Sequence, residues 1–285
     1  MELITSLRNA RVKYLRSLRM AKYRRREGRY LAEGTRLVEE ALELGAPVET
    51  LVYAPDLLVS ERAQALVEEV APEARLAVSA EVFASLSDRE NPQGLAAVLR
   101  IEDRDLAEIE PREDLLVLVA WQLRDPGNLG AILRTAEAVG ATGVVIVEPS
   151  VDLYDPQCVR ATMGSLFALP VVRVPGGDVL EVWYDGLRAA GLPLLVAGSS
   201  AQGEVEHFDV DYRRPTVLLI GSERRGLPPE ARDSADVFVR LPMCGRATSL
   251  NVSAATAALV YEVVRQRRPR DDAPARPAPA DRQGA

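Results

Sequence analysis

The chain has 285 residues, 47% of them hydrophobic, which is enough for one large domain or two ordinary ones with proper cores. No apolar run of 18 residues and no signal-peptide core is present, which excludes a membrane-spanning segment and makes the cytoplasm the expected location. The net charge of −7 argues against a nucleic-acid binder, yet residues 1–30 hold ten Lys/Arg against two Glu, a local balance of +8 that leaves −15 on the rest.

That asymmetry points to a localised anion-binding surface, with a solvated basic helix as the alternative. Residues 6–26 read as one basic helix. Leu7, Val12, Leu15 and Leu18 give it an apolar face, while Arg8, Arg11, Lys13, Arg25 and Arg26 are among the cations crowding the rest. Tyr30 and Leu31 then lead into a turn at Glu33-Gly34. Thr35 is placed to cap a helix carrying Leu37, Val38, Ala41 and Leu42, which Gly45 ends. A strand over 48–53, a helix over 60–70, a short strand at 76–78, a helix over 80–86 and a strand over 95–99 follow. Together these predict a small α/β domain over 1–100. The charged run 101–114 reads as a linker.

The second domain, 115–268, opens with a buried strand at 115–120. The loop Asp125-Pro126-Gly127 leads to a helix over 128–139 and a strand over 143–147, a βαβ unit. Leu129, Ile132, Leu133, Ala136 and Val139 form the stripe that packs on the sheet, and Arg134 lies nearly opposite. It is either a solvated arginine or one facing a second protein surface or a ligand. A helix or turn over 159–167, strands at 171–174 and 194–197, and a helix over 180–190 come next. Strands at 216–220 and 237–241 and a helix over 250–267 complete the domain. The Pro- and Ala-rich stretch 269–285 is expected to be a disordered tail.

The apolar runs bounded by Gly and Pro read as buried strands of a mostly parallel sheet, in which ligands sit at the carboxyl ends of the strands. Ser222, Glu223, Ser249 and Asn251 all fall in such loops. Singly, Ser249 or Asn251 reads equally well as a helix N-cap; together they favour a site. No Gly-x-Gly-x-x-Gly, P-loop or metal spacing is present. Cys158 and Cys244 fit no disulfide framework. His207, the only histidine, sits in a polar stretch, reads as a surface residue and is poorly placed to serve a Ser nucleophile. What remains is a site of loop amides, Ser, Asn, Glu and Arg, suited to binding and orienting.

Three ordered stretches carry a resemblance. Asn128-Leu129-Gly130-Ala131-Ile132-Leu133-Arg134-Thr135-Ala136 resembles the first motif of the SpoU/TrmH branch of the SPOUT RNA methyltransferases. Gly221-Ser222-Glu223-Arg224-Arg225-Gly226-Leu227 resembles the second, and Leu241-Pro242-Met243 through Ser249-Leu250-Asn251-Val252-Ser253 the third. Residues 25–53 with Asn91-Pro92-Gln93-Gly94 are similar to the substrate-binding domain of many members, itself similar to a kink-turn-binding ribosomal protein. The resemblance implies a trefoil-knotted α/β domain and a homodimer whose partner completes each site. It implies S-adenosylmethionine held largely by backbone at Leu219, Ile220, Gly221, Leu241, Pro242, Met243, Ser249 and Leu250. It also implies 2′-O-methylation of an RNA ribose, with Asn128, Arg134, Glu223, Ser249 and Asn251 as catalytic residues. A guanidinium stays protonated in proteins, so Arg134 is better read as a phosphate grip than as a base, with Asn128 orienting Arg134 or the ribose and Glu223 holding loop and arginine geometry. The N-terminal domain favours large-subunit (23S) ribosomal RNA over transfer RNA. A non-catalytic ribosome-assembly factor is the alternative outside the enzymes.

Overall fold

The computed structural model describes residues 3–268, and the tail expected over 269–285 lies outside them. Two helices come first, α1 (Ala10–Ser17) and α2 (Ala21–Glu27). Then follow β1 (Arg29–Glu33), α3 (Thr35–Glu43), β2 (Val48–Tyr53), α4 (Glu61–Glu69), β3 (Arg75–Ala77), α5 (Ala80–Leu86) and β4 (Leu95–Arg100). The four strands form one mixed sheet in the order β1-β4-β2-β3. β4 pairs antiparallel with β1 and β2, while β2 and β3 are parallel. Successive side chains point to opposite faces. Leu31, Val52, Ala96 and Val98 meet α1 and α5. Tyr30, Ala32, Leu51 and Ala97 meet α3 and α4.

Several expectations change in this region. The single basic helix over 6–26 is two helices, because the chain turns between Leu18 and Met20. Arg24 then faces inward, and its Nη1 donates to the Leu18 and Arg19 carbonyls (2.9 and 2.7 Å), which the end of α1 leaves without helical partners. Leu7, expected on an apolar face, is 37% exposed ahead of α1. The stretch read as leading into a turn is strand β1. Its alternation is hidden because Tyr30, Leu31 and Ala32 are all buried. Thr35 is the first residue of α3, not its cap. Gly34 holds that position at φ 121°, and the Thr35 amide donates to Gln93 Oε1 (3.2 Å).

Residues 101–114 do more than link. Asp105 and Glu108 form a capping box around a short 3-10 turn, and Leu106 and Ile109 are buried against the next sheet. That sheet and its helices comprise β5 (Leu116–Trp121), α6 (Pro126–Ala138), β6 (Gly143–Val147), α7 (Pro156–Thr162), α8 (Ser165–Ala168) and β7 (Val171–Val174). They continue with α9 (Gly177–Ala189), β8 (Leu195–Ser199), β9 (Val205–Glu206), β10 (Thr216–Ile220), α10 (Pro229–Asp233), β11 (Val237–Arg240) and α11 (Val252–Arg267). The order is β7-β6-β5-β10-β8-β11-β9, and every pairing is parallel. Along β5, Leu116, Leu118 and Ala120 share a core with α6, α7 and α11. Val117, Val119 and Trp121 share one with α9 and α10. Both faces are covered, which explains the unbroken apolar runs.

The helix or turn expected over 159–167 is two short helices, α7 and α8, separated at Met163 (φ 53°) and Gly164 (φ 103°). His207, expected at the surface, is 1% exposed, with its ring 3.8 Å from that of Phe208. Burial holds its pKa below the ordinary histidine value. The two sheets are not independent. One apolar cluster runs from Tyr30, Leu37 and Val38 through Leu153, Tyr154 and Val159 to Leu259. The Tyr30 and Tyr154 rings are 4.6 Å apart at its centre.

Candidate active site

The strands β8, β10 and β11 all end at one side of the sheet, and their following loops enclose a cleft of about 370 Å³. Ser199 ends β8 and Ser200, Ala201 and Gln202 follow it, and Gly221 to Leu227 follow β10. Leu241, Met243, Thr248, Ser249 and Leu250 follow β11, and Val252, Ala255 and Leu259 of α11 form the remaining wall. The loop after β10 is a tight closed turn. Ser222 N–H donates to the Gly226 carbonyl (3.1 Å), and Gly226 N–H donates back to Ser222 (2.9 Å). A Cβ at Gly221 would lie 2.2 Å from the Gly226 carbonyl carbon, so only glycine allows this closure. The turn buries Ser222 and Leu227 and projects Glu223, Arg224 and Arg225 outward.

Three of the expected catalytic residues meet at the rim. Asn128 Nδ2 donates to Glu223 Oε1 (2.7 Å), and Asn251 Nδ2 donates to Asn128 Oδ1 (3.0 Å). The bonded pairs are 95 and 123 residues apart in sequence. Each asparagine is fixed by its own helix. Asp125 caps α6 and accepts the Asn128 amide (2.7 Å), while Asn251 caps α11 and accepts from Ser253 N–H (2.9 Å) and Ser253 Oγ–H (2.6 Å). The Glu223 carboxylate thus meets the first turn of α6, a favourable place for a negative charge. Asn251 is the cap of α11 and at the same time bonds Asn128.

Ser249 is exposed on the cleft wall, not a cap. Among the described residues its side chain makes no hydrogen bond. Arg134 is exposed on α6, as its position opposite the stripe predicts, and among the described residues it has no ion pair or side-chain hydrogen bond. It lies six residues beyond Asn128, about 9 Å along the helix axis. Among the described residues neither Asn128 nor Glu223 makes a hydrogen bond or ion pair with Arg134; the Asn128 side-chain amide bonds Glu223 and Asn251.

Of the expected cofactor positions, Gly221, Leu241, Met243, Ser249 and Leu250 line the cleft. Leu219 and Ile220 lie within β10 with buried side chains, and the Leu219 carbonyl accepts from Ser199 Oγ (2.9 Å). Pro242 is exposed and off the wall. The residues after β8 were missed, although the rule that placed the other loops at strand ends applies equally to Ser199 and Ser200. Leu259 carries no local signal, since only the return of α11 brings it to the cleft. Arg8, Arg11, Lys13, Arg25 and Arg26 are all exposed. Arg26 also bonds Glu27 (2.7 Å) and lies over the Tyr23 ring. Among the described residues, no cluster of His, Cys, Asp or Glu is placed to hold a metal ion, and no helix is long and apolar enough to cross a membrane.

Comparison with known proteins decides the family. Residues 115–261 match the SpoU rRNA Methylase family, and residues 9–97 match the MRM3-like substrate binding domain. The chain belongs to the SpoU rRNA methylase family. Among SpoU relatives it is similar to the 23S rRNA (uridine(2479)-2′-O)-methyltransferase of Streptomyces viridochromogenes, at 40% identity over 93% of this chain and 92% of that one. It is also similar to the 23S rRNA (guanosine(2553)-2′-O)-methyltransferase RlmP of Bacillus subtilis, at 30% identity over 92% and 99% of the two chains. Among solved structures it resembles the SpoU methyltransferase AviRb from Streptomyces viridochromogenes in complex with AdoMet. There the TM-score is 0.86 at 38% identity, covering 91% of this chain and 98% of that one. All three stretches that resembled SpoU motifs lie inside the matched 115–261 segment.

Proposed function

We propose that the protein methylates a ribose 2′-hydroxyl of large-subunit ribosomal RNA, with S-adenosylmethionine as donor. The observation that carries this reading is the hydrogen-bonded chain Glu223–Asn128–Asn251 at the rim of the strand-end cleft, in a SpoU-family chain. The names of the relatives, both 23S ribosomal RNA 2′-O-methyltransferases, support the substrate class.

The cleft fits the donor. Its volume is that of a small-molecule site, and its wall mixes Leu241, Met243, Leu250 and Leu259 with Ser199, Ser200 and Ser249. Gly221, Leu241, Met243, Ser249 and Leu250 would hold it. When bound, it supplies a methyl group already activated on a sulfonium. The chain's own task is to place the hydroxyl in line and ease the loss of its proton. Arg134 grips the neighbouring phosphate and lowers the hydroxyl's proton affinity electrostatically. Asn128, fixed from both sides, and Ser249 orient the ribose. Glu223 holds Asn128 rather than the arginine.

Arg134 stands on the outer face of α6, out of reach of Asn128, so a second copy of the chain is the natural partner to complete the site. The loops 221–227 and 241–251 wrap one cleft before α11 returns beneath it, an arrangement in keeping with the knot that the family resemblance implies. Residues 1–100 serve as the RNA-binding unit, with Arg8, Arg11, Lys13, Arg25 and Arg26 on phosphates. The setting is the cytoplasm. The test is mass-spectrometric mapping of ribose methylation in ribosomal RNA with and without the gene. One site should vanish. A ribosomal map that does not change, with a site lost from transfer RNA or from none, counts against the reading.

A further inference from the structure

We propose that Arg24 and Asp152 are positioning residues, which clamp the RNA-binding unit to α7 and so fix where RNA meets Asn128 and Arg134. This rests on the methyl-transfer reading above.

Arg24 belongs to the most basic stretch of the chain, yet it is 2% exposed. Its Nη2 and Nε donate to one oxygen of Asp152 (2.6 and 3.2 Å), and Asp155 Oδ2 lies 3.9 Å from Nη2. Nη1 takes the Leu18 and Arg19 carbonyls at the joint of α1 and α2. One guanidinium thereby ties the joint of the basic helices to the segment that enters α7. Buried ion pairs are rarely more stabilising than an apolar replacement; what such a fork does supply is a defined orientation. A second tie runs to the same helix, with Arg160 of α7 donating to Asp88 (2.6 Å).

From α7 the path to the reactive groups is rigid. α7 crosses α6 at Gly130, where an added Cβ would lie 2.5 Å from the Cys158 carbonyl and 2.6 Å from the Ala161 Cβ. At this crossing the backbones approach so closely that any side chain at Gly130 would push the two helices apart. Gly130 stands two residues after Asn128 and four before Arg134. A shift of the RNA-binding unit on α7 therefore displaces bound RNA relative to both groups, whereas the cofactor cleft, formed by the loops after β8, β10 and β11, is untouched.

The experiment uses the full chain with Asp152→Asn and, separately, Arg24→Lys. The asparagine keeps the oxygen that accepts the Tyr154 amide (3.0 Å) but removes the charge. The lysine keeps the charge but loses the fork. Binding of S-adenosylmethionine and of an unmodified 23S ribosomal RNA transcript, and methyl transfer to that transcript, are measured for each. Both ligands should bind as tightly as to the wild type. kcat should fall about tenfold to a hundredfold with KM for RNA unchanged, the expected result of misplacing a substrate by about an ångström. Unchanged kcat overturns the proposal. So does a loss of RNA affinity at constant kcat, which would make α2 a binding element only. If Arg24→Lys does not fold, Asp152→Asn decides alone. A wild-type protein that transfers no methyl overturns the function itself, and this role with it.

Discussion

Asn251 offers a way to separate the helix cap from the catalytic rim. Asn251→Ala removes the side chain that accepts Ser253 N–H, Ser253 Oγ–H and Ala254 N–H, and with it the bond to Asn128. Loss of an N-cap costs about 1 kcal/mol. The Asn128 oxygen it frees lies in an exposed site, where water replaces the lost donor, so the total should stay near about 1–2 kcal/mol. Asn251→Asp behaves differently. Aspartate caps as well as asparagine, and a carboxylate at a helix N-terminus is favourable, so stability should stay within about 0.5 kcal/mol of wild type. An aspartate has no N–H to give Asn128 Oδ1, and it adds a second negative charge beside Glu223. Asn128 would then turn or lose its partner, and methyl transfer should fall about tenfold to a hundredfold. Urea unfolding reads the first effect from the midpoint, and single-turnover transfer to rRNA reads the second. An aspartate variant with wild-type turnover would mean that Asn251 is a cap and nothing more.

Arg134→Ala should leave folding and cofactor binding intact, since the side chain is exposed and off the cleft, but lower transfer about a hundredfold, as measured by label incorporation. Arg134→Lys should stay poor at every pH if the residue is a phosphate clamp; a rate that rises with pH would favour a base. Replacing Arg8, Arg11 and Lys13 together by Ala should weaken RNA binding and reduce the slope of log K against log salt by about 2–3, as a filter-binding titration would read. Burial lowers the folded pKa of His207 below that of the unfolded chain, so the unfolded state takes up its proton first on acidification. Its contribution to stability is therefore complete above about pH 6.5 and lost as the pH falls from there to the folded value. The thermal midpoint should drop over that window, and His207→Gln should flatten that part of the curve. The depressed pKa of Glu262, due first to its hydrogen bond from Arg265, acts in a separate window below the ordinary glutamate range.

Much of the fold was legible because its strands are blocks of Val, Leu and Ile between Gly and Pro. The spans at 80–86, 143–147, 171–174 and 216–220 coincide with α5, β6, β7 and β10. β1 was not legible, since burial on both faces erased its alternation. Nor was the split of the first basic helix, beside which Arg24 reaches an aspartate 128 residues away. In the site, motif position brought Asn128, Glu223 and Asn251 to notice, but not that they bond to one another. That pairing is a property of how α6, α11 and the β10 loop converge. Leu219 and Ile220 have buried side chains, so only their backbone is left to meet a cofactor, as the resemblance implies. The shared core around Tyr30 and Tyr154 likewise bears on experiment. Deleting residues 1–100 would uncover Leu153, Tyr154 and Val159, so point substitutions test the basic segment more cleanly than truncation.

The most direct test of the central claim is the position of the transferred methyl group. The purified protein is incubated with methyl-labelled S-adenosylmethionine and an unmodified 23S ribosomal RNA transcript, and the product is hydrolysed in alkali. A 2′-O-methyl group blocks cleavage of the adjoining phosphodiester, so the account predicts label in a single alkali-resistant dinucleotide. Label in mononucleotides, which marks a methylated base, or no label at all would contradict it.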